Sequence, residues 1–371
     1  MILLDTTYVS PLLIEVLSAH EETIYDVKYQ RFLKAPSIFQ SIKQNESIIM
    51  NAEVGLNLLN ELLPEHRLTT LANLFKNKIA FRKLLASKYP GFFYQSCSFE
   101  QLKTMNVDEL PFPIVLKPIF GYGSEGVYKF NDGQAMTVFM DTYEQVNERE
   151  KEQFIIEQYI DGREFAIDFY YDEDGAPVIL NIFARKFKDS NDVGDRIYYT
   201  SKAVIKSTVH MFERYLKNFG ENFQLKSVPL HIELRLTPSH EIIPIEINPL
   251  RFAGEGTTEL GYYAYGINPY EYYFSKRKPD WEEIISQMDG AIYSFTCAEI
   301  DQHVDPSHIE HIDHTELKKQ FNEVLDYRVL PLEGRTTFAV VFFKSPTEEE
   351  HTYILNLDFM QFITYKQYQL Q

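Results

Sequence analysis

Residues 115–130 read VLKPIFGYGSEGVYKF, and the fold turns on what the glycines of that stretch do. Gly121, Gly123 and Gly126 spell G-x-G-x-x-G, a spacing used by several unrelated phosphate-binding loops. A dinucleotide loop leads from a strand into a helix whose N-terminus faces the pyrophosphate. Here VYKF follows the glycines directly, and Val127 and Tyr128 favour strand. A protein-kinase loop does lie between strands, but Tyr128 stands where its valine belongs, and the chain has no H-R-D and no D-F-G. A P-loop needs G-K-S/T, which Glu125-Gly126-Val127 does not supply. What remains is a lysine ahead of the loop, Lys117 in the strand IVLKP. A buried ammonium is costly unless paired, and a phosphate would pair it. Backbone N–H groups bared by the glycines can close over that phosphate. The competing reading is an edge-strand lysine beside an ordinary hairpin turn.

Working outward, the N-terminal side alternates strand and helix. MILLD, TIYDVKY and SIIMN read as strands. Ser10-Pro11 reads as an N-cap with proline at the first helical position, and VGLNLLNELL as a further helix. No glycine-rich turn follows the first strand, so this small α/β unit lacks a dinucleotide fingerprint. NKIAFRKLLASKYPGFF is a helix stopped before Pro90-Gly91. Downstream come the strand FIIEQYI, a break at Asp161-Gly162, and a hairpin of EFAIDFYY with PVILNIFARKF around DEDG. A helix is expected around residues 203–219. The last part, from about residue 285, is aromatic-rich α+β, with Thr347 and Glu350 as a capping box.

A second hairpin, HIELRLTPSHEIIPIEIN, carries paired acids. With Thr237 to His240 as its turn, Glu233 lies opposite Pro244 and His231 opposite Glu246. His231, Glu233, Arg235, Glu246 and Asn248 then share one face, with the two glutamates diagonal and roughly 7–8 Å apart. Carboxylates projecting together repel unless a cation sits between them or one takes a proton. With the Asn248 carbonyl they form an all-oxygen set, which suits Mg²⁺ rather than zinc. The competing reading is a solvated hairpin face.

The whole chain restricts the choices further. It has 371 residues, 44% hydrophobic and 24% charged, enough for two or three domain-sized units. A formal net charge of -18 without a basic block gives no footprint for nucleic acid. The two cysteines, Cys97 and Cys297, form neither a disulfide framework nor a zinc spacing. No window approaches about 18 consecutive apolar residues, so no membrane span is expected, and the expected setting is the cytoplasm.

Taken together, the lysine of "NK", the VLKP lysine with its glycine loop, the hinge IIEQYIDGREF and the acid strands ending EINP resemble the ATP-grasp superfamily over about residues 50–270. The resemblance implies a fold of α/β and α+β class. Its units would be an N-terminal α/β domain at 1–76, an ATP-grasp domain at 77–284 with subdomains about 77–160 and 161–284, and a C-terminal α+β appendage at 285–371. It implies ATP and two Mg²⁺ ions (Mn²⁺ as a substitute), and ligation of a carboxylate to an amine through an acylphosphate. Both substrates would be small molecules, with a homodimer as the assembly to test. Rival outcomes are a phosphotransferase, a thiol or hydroxyl ligase, and a non-catalytic ATP-binding module.

Residue by residue, the resemblance places Lys78 and Lys117 on the phosphates and Gly121, Gly123, Ser124 and Gly126 in a flap over them. Glu157, Gln158, Tyr159 and Ile160 would form the adenine hinge, and Glu164 would reach the ribose. Glu233, Glu246 and Asn248 would hold the metal ions. His231 stands where many such ligases carry arginine, and Arg251 is the shifted candidate for that charge. Arg196 or Arg251 is expected to grip the substrate carboxylate, with Arg185 and Lys186 nearby, and Glu53 to approach the substrate pocket. His308, His311 and His314 are expected to be solvated surface.

Overall fold

The computed structural model describes residues 1–20, 23–34, 47–119, 126–146, 153–189, 192, 194, 196–301, 303–333 and 335–366. The chain starts with the strand Ile2–Leu4, all three residues buried, flanked in parallel by Ile24–Asp26 and Ile49–Met50. Arg31–Lys34 completes this sheet on the antiparallel side of Ile24–Asp26. The crossover helix Pro11–Ala19 begins as expected, with the Ser10 side chain accepting from the Leu13 N–H. Parallel strands buried on both faces need such a covering helix. At its far edge this sheet touches the second acid strand, because Met50 N–H donates to Leu250 O (2.6 Å) and Met50 bridges Arg251. That junction delivers Glu53, a few residues on, to the acids.

Two helices follow, Arg67–Lys76 and Lys78–Leu85. Asn77 between them accepts the Ala80 N–H at 3.0 Å and so caps the second helix. The kink puts Lys76 and Lys78 on either side of one corner. The second helix ends at Leu85, a turn earlier than the Pro90 stop predicts, and closes with the N–H groups of Lys88 and Tyr89 both on Leu85 O.

The glycine-loop region forms a four-stranded antiparallel sheet in the order Tyr94–Ser98, Gln153–Gln158, Ile114–Pro118, Tyr128–Phe130. Ile114 and Leu116 face a core with Phe130, Met136 and Phe154. By strand alternation Val115 and Lys117 face the other way, together with Glu157.

Beyond it lies an eight-stranded antiparallel sheet. Its order is Ile242–Pro249, Val228–Leu236, Arg163–Tyr171, Pro177–Lys186, Ile197–Ser201, Ile292–Glu299, Thr337–Ser345, Val324–Val329. The sheet runs without interruption across residue 285. The hairpin of Arg163–Tyr171 with Pro177–Lys186 is central and buried on both faces, although its sequence alternates. The helix Lys202–Phe223 covers one face through Phe212 and Phe219, which pack with Phe165 and Phe75. The expected capping box at Thr347 is corrected. Thr347 Oγ1 accepts the Glu349 N–H, while the Glu350 carboxylate takes Ser345 Oγ, Asn322 N–H and Asn322 Nδ2 instead.

Candidate functional site

The second hairpin departs from the expected register. Leu236 pairs with Ile242 and Leu234 with Pro244, but Glu233 pairs with Glu246 and His231 with Asn248. One extra residue on the second strand, Ile245, makes a bulge. The physical reason is Pro244, which has no N–H for the ladder and is tolerated at bulges and on edge strands, such as this one. The turn also differs, closing from Thr237 N–H to Glu241 O (2.9 Å) with His240 at φ 63. The bulge brings Glu233 and Glu246 directly opposite rather than diagonal, while keeping His231 and Asn248 on their face. Arg82 secures the bulge by donating to the Pro244 and Ile245 carbonyls.

Around Glu246 the structure gathers cations from separate elements. Lys76 Nζ lies 3.4 Å from Glu246 Oε1, 2.9 Å from Asn248 Oδ1 and 2.8 Å from Glu53 Oε1. Lys78 Nζ stands 3.5 Å from Glu246 Oε2, and Arg251 Nη2 stands 3.6 Å from Glu53 Oε2. Burial alone would raise the Glu246 pKa, but Lys78, Lys76, Lys117 and Arg251 together hold it well below the usual carboxylate range. Next to this group, Lys117 Nζ is 2.6 Å from Glu157 Oε2, and Arg82 clasps the same carboxylate through Nε and Nη2. Burial opposes ionisation of Glu157 too, yet Arg82 and then Lys117 hold it at about 2.

His231 joins this face from below. Its Nδ1 is 2.7 Å from Asp168 Oδ1 and its Nε2 is 3.6 Å from Glu233 Oε1. Burial pulls the imidazole pKa down, but the bonds to Asp168 and Glu233 outweigh it and raise it to about 9. The imidazolium is therefore a fixed positive charge under Glu233. Asp168 is fully buried and also accepts from Asn181 Nδ2 (3.0 Å), Thr258 Oγ1 (2.6 Å) and Ala253 N–H (2.9 Å).

The predicted residues thus separate into groups. Lys78, Lys117, Glu157, His231, Glu233, Glu246, Asn248, Arg251 and Glu53 come together. Gly121, Gly123 and Ser124 lie outside the described residues. Gly126 has φ +70, and a Cβ there would meet Pro118 Cγ at 2.9 Å, so this turn requires glycine. Of the hinge, Gln158 and Tyr159 spend their N–H groups on Phe93 O and Pro113 O, and Ile160 O accepts from Arg235. Glu164, expected at a ribose, is buried with both oxygens held, one by Arg185 (2.5 Å) and one by Arg235 (2.8 Å).

Arg196 has partners outside this group. Its guanidinium donates to Leu355 O (2.9 Å) and Leu357 O (3.1 Å) and lies over the Phe359 ring, where it closes the end of the helix Glu349–Asn356. Unpaired carbonyls at a helix C-terminus attract a cation, and this arginine is committed to them. Arg185 holds Glu164 and Lys186 pairs with Glu348 at 2.5 Å. Of the three histidines, His314 bonds Tyr327 Oη at 2.8 Å, and no group of three or more metal-ligating His, Cys, Asp or Glu occurs among the described residues.

Sequence reasoning missed Lys76, Arg82 and Asp168. Arg82 could have been found, since it follows Lys78 by one helical turn and shares its face. Asp168 sits inside an apolar run, where a buried acid needs partners. Lys76 had no such signal, because its position depends on the kink at Asn77.

A cavity of about 40 Å³ is lined by Asp5, Tyr8, Asn51, Ala52, Glu255 and Arg335 among others. Glu255 and Arg335 are 3.3 Å apart in its wall.

Residues 110–259 match the model of the ATP-grasp domain family. Similar solved structures extend the likeness over nearly the whole chain. An L-amino acid ligase from Bacillus licheniformis has a TM-score of 0.64 at 15% identity, covering 99% of this chain and 98% of that one. A phosphoribosylamine–glycine ligase from Thermotoga maritima gives 0.57 at 12%, covering 98% and 97%. A biotin carboxylase from Campylobacter jejuni, in a β,γ-ATP complex, gives 0.58 at 11%, covering 98% and 91%. These identities speak to fold, which is that of the ATP-grasp enzymes. No curated protein sequence matches the chain. Among the described residues, no helix is long and apolar enough to cross a membrane.

Proposed function

We propose that this protein is an ATP- and Mg²⁺-dependent ligase that joins a carboxylate to an amine, with an acylphosphate between. One observation carries the reading: Glu246 and Asn248 share a face with Glu233 and converge with lysines from three separate segments. A fold whose relatives include named ligases and a biotin carboxylase in a β,γ-ATP complex supports the same reading.

Glu233, Glu246 and Asn248 would hold the metal. Their oxygen donors suit Mg²⁺, and the Lys76 ammonium already seated on Glu246 and Asn248 marks the spot as one that takes a cation. The metal would supply neutralisation of phosphate charge. Phosphoryl transfer otherwise asks for positioning and charge stabilisation more than covalent help. Lys117 and Lys78 would bind phosphate oxygens, and Arg82 would keep Glu157 ionised so that Lys117 stays anchored. Tyr159 and Ile160 would border the base. Gly121, Gly123, Ser124 and Gly126 would cover the phosphates and keep water from the acylphosphate.

A carboxylate oxygen of the first substrate would attack the γ-phosphorus, releasing ADP and leaving an acylphosphate. The amine nitrogen would then attack the acyl carbon, and phosphate would leave. Arg251, tied to Glu53, would stabilise charge on the transferring group, with His231 as the fixed cation beneath Glu233.

The test is phosphate release from MgATP with pools of amino acids and small carboxylates, comparing the wild type with Glu246→Ala. Release that depends on one pool member and disappears in the variant is expected. Transfer of phosphate to a stable product, seen by mass, would instead make the protein a phosphotransferase. ATP binding with no release from any pool would favour a binding module.

A further inference from the structure

Lys76 is the feature the proposed reaction leaves over. It stands at the C-terminal end of the helix Arg67–Lys76, is 7% exposed, and points its ammonium into the proposed metal position. Its three acceptors come from two sources. Glu246 and Asn248 belong to the acid strand, whereas Glu53 comes from the N-terminal unit and is held by Arg251.

We propose that Lys76 is a tethered counter-cation of the metal site, a positioning residue that occupies Glu246 and Asn248 when no metal is present and withdraws onto Glu53 when one arrives. This inference rests on the metal role proposed for Glu246 and Asn248. An ammonium and Mg²⁺ drawn onto the same two side chains repel each other, and Mg²⁺ requires its ligands at about 2.0–2.1 Å in an octahedral shell. Without either cation, the half-buried Glu246 would keep Lys78 but lose the ammonium that also holds Asn248. A tethered lysine meets that need reversibly. Its contacts with Glu246 and Asn248 are single hydrogen bonds on a flexible stem, and its shortest contact, 2.8 Å, is to the acceptor that lies off the acid strand. Glu53 thus gives the displaced ammonium a partner, and it links metal loading to the seating of the N-terminal unit on the acid strand through Met50 and Leu250.

The two ends of this device predict opposite effects. Lys76→Met removes the competitor, so the nucleotide-free protein should bind Mn²⁺ about tenfold more tightly, the scale of one lost hydrogen bond to a charged group. Glu53→Gln removes the receiving carboxylate, so the ammonium stays on Glu246 and Asn248 and Mn²⁺ binding should weaken. In the Lys76→Met background the Glu53→Gln change should then have little effect, and the double-mutant cycle reads that coupling directly.

The experiment is Mn²⁺ titration of the full chain, without nucleotide, by electron paramagnetic resonance. It uses the wild type, both single variants, the double variant and Glu246→Gln, with thermal unfolding to confirm that each is folded. Tightening, weakening and loss of the second effect in the double variant support the inference. If Lys76→Met binds Mn²⁺ no better than wild type, or not at all, while Glu246→Gln loses binding, the tethered-cation inference is overturned and the metal site stands. If Glu246→Gln binds Mn²⁺ like the wild type, the metal reading itself fails.

Discussion

Glu164 and Glu246 are both acids on strands of the eight-stranded sheet, and each lies between two basic side chains. They differ in the kind of cation. Glu164 is held by Arg185 and Arg235 at 2.5 and 2.8 Å, and both guanidiniums also stack on the Phe187 ring. Glu246 is approached by Lys76 and Lys78 at 3.4 and 3.5 Å. Arginine forks are planar, preorganised and locked by stacking, while an ammonium on a four-carbon stem can turn away. The first arrangement fixes a strand, and the second leaves a carboxylate that can change partners. On the proposed function, the first acid serves the structure and the second is available for chemistry.

The strongest way to break this contrast is Glu246→Ala. Several kcal/mol of charge stabilisation depend on such a site, so phosphate release should fall on the order of a thousandfold; steady-state kinetics on folded protein reads it. Arg235→Met should act the other way round, on stability. It leaves one oxygen of the buried Glu164 without its partner while Arg185 keeps the other, a loss of about 1.5–3 kcal/mol for a hydrogen bond to a charged group, and denaturant unfolding should show it. Lys78→Met should affect unfolding much less and phosphate release much more; equal stability losses for the two variants would contradict the contrast.

The pH dependence sharpens the picture at both ends. His231 has a folded pKa of about 9, above its ordinary 6.5, so its contribution is fully present below pH 6.5 and is lost as pH rises through about 9. Glu157 has a folded pKa of about 2, below its ordinary 4.5, so its contribution is present above 4.5 and is lost as pH falls through about 2. In a series of unfolding curves, His231→Gln should flatten the alkaline limb, and because His231 also holds the Asp168 pKa down, it should weaken the acid limb as well.

Arg196→Ala should be milder. Two hydrogen bonds to helix-end carbonyls disappear, about 1–3 kcal/mol of stability, while the Michaelis constants of both substrates stay unchanged. A raised Michaelis constant would restore this arginine to the substrate site. Smallest of all is Lys276→Ala. Its pair with Glu173 is solvated, with both side chains 74% exposed, and unfolding should shift by less than about 0.5 kcal/mol.

Much of this was legible in the residues. Lys117 among apolar neighbours, the strand after Gly126 and the EINP acids led to the fold, because alternation and glycine spacing are local signals. The bulge at Ile245 was half legible. Pro244 warned that the ladder must break there, but only the paired strands show that Glu233 and Glu246 then meet face to face. Arg196 was expected as a ligand grip because a basic residue beside an irregular segment can play that part. Its partners, Leu355 and Leu357, lie far along the chain and become neighbours only through the sheet. Lys76 and Glu53 were positioned by a helix kink and by the junction at Met50, and neither has a sequence period to announce it.

The proposed function turns on whether Glu246 and its neighbours hold a metal-bound nucleotide, and calorimetric titration of the wild type and Glu246→Gln with ADP, with and without Mg²⁺, decides it. Mg²⁺ should tighten binding to the wild type, and Glu246→Gln should lose this gain while still binding ADP weakly. Binding that ignores Mg²⁺ in the wild type, or an equal Mg²⁺ gain in the variant, would overturn the metal role of Glu246.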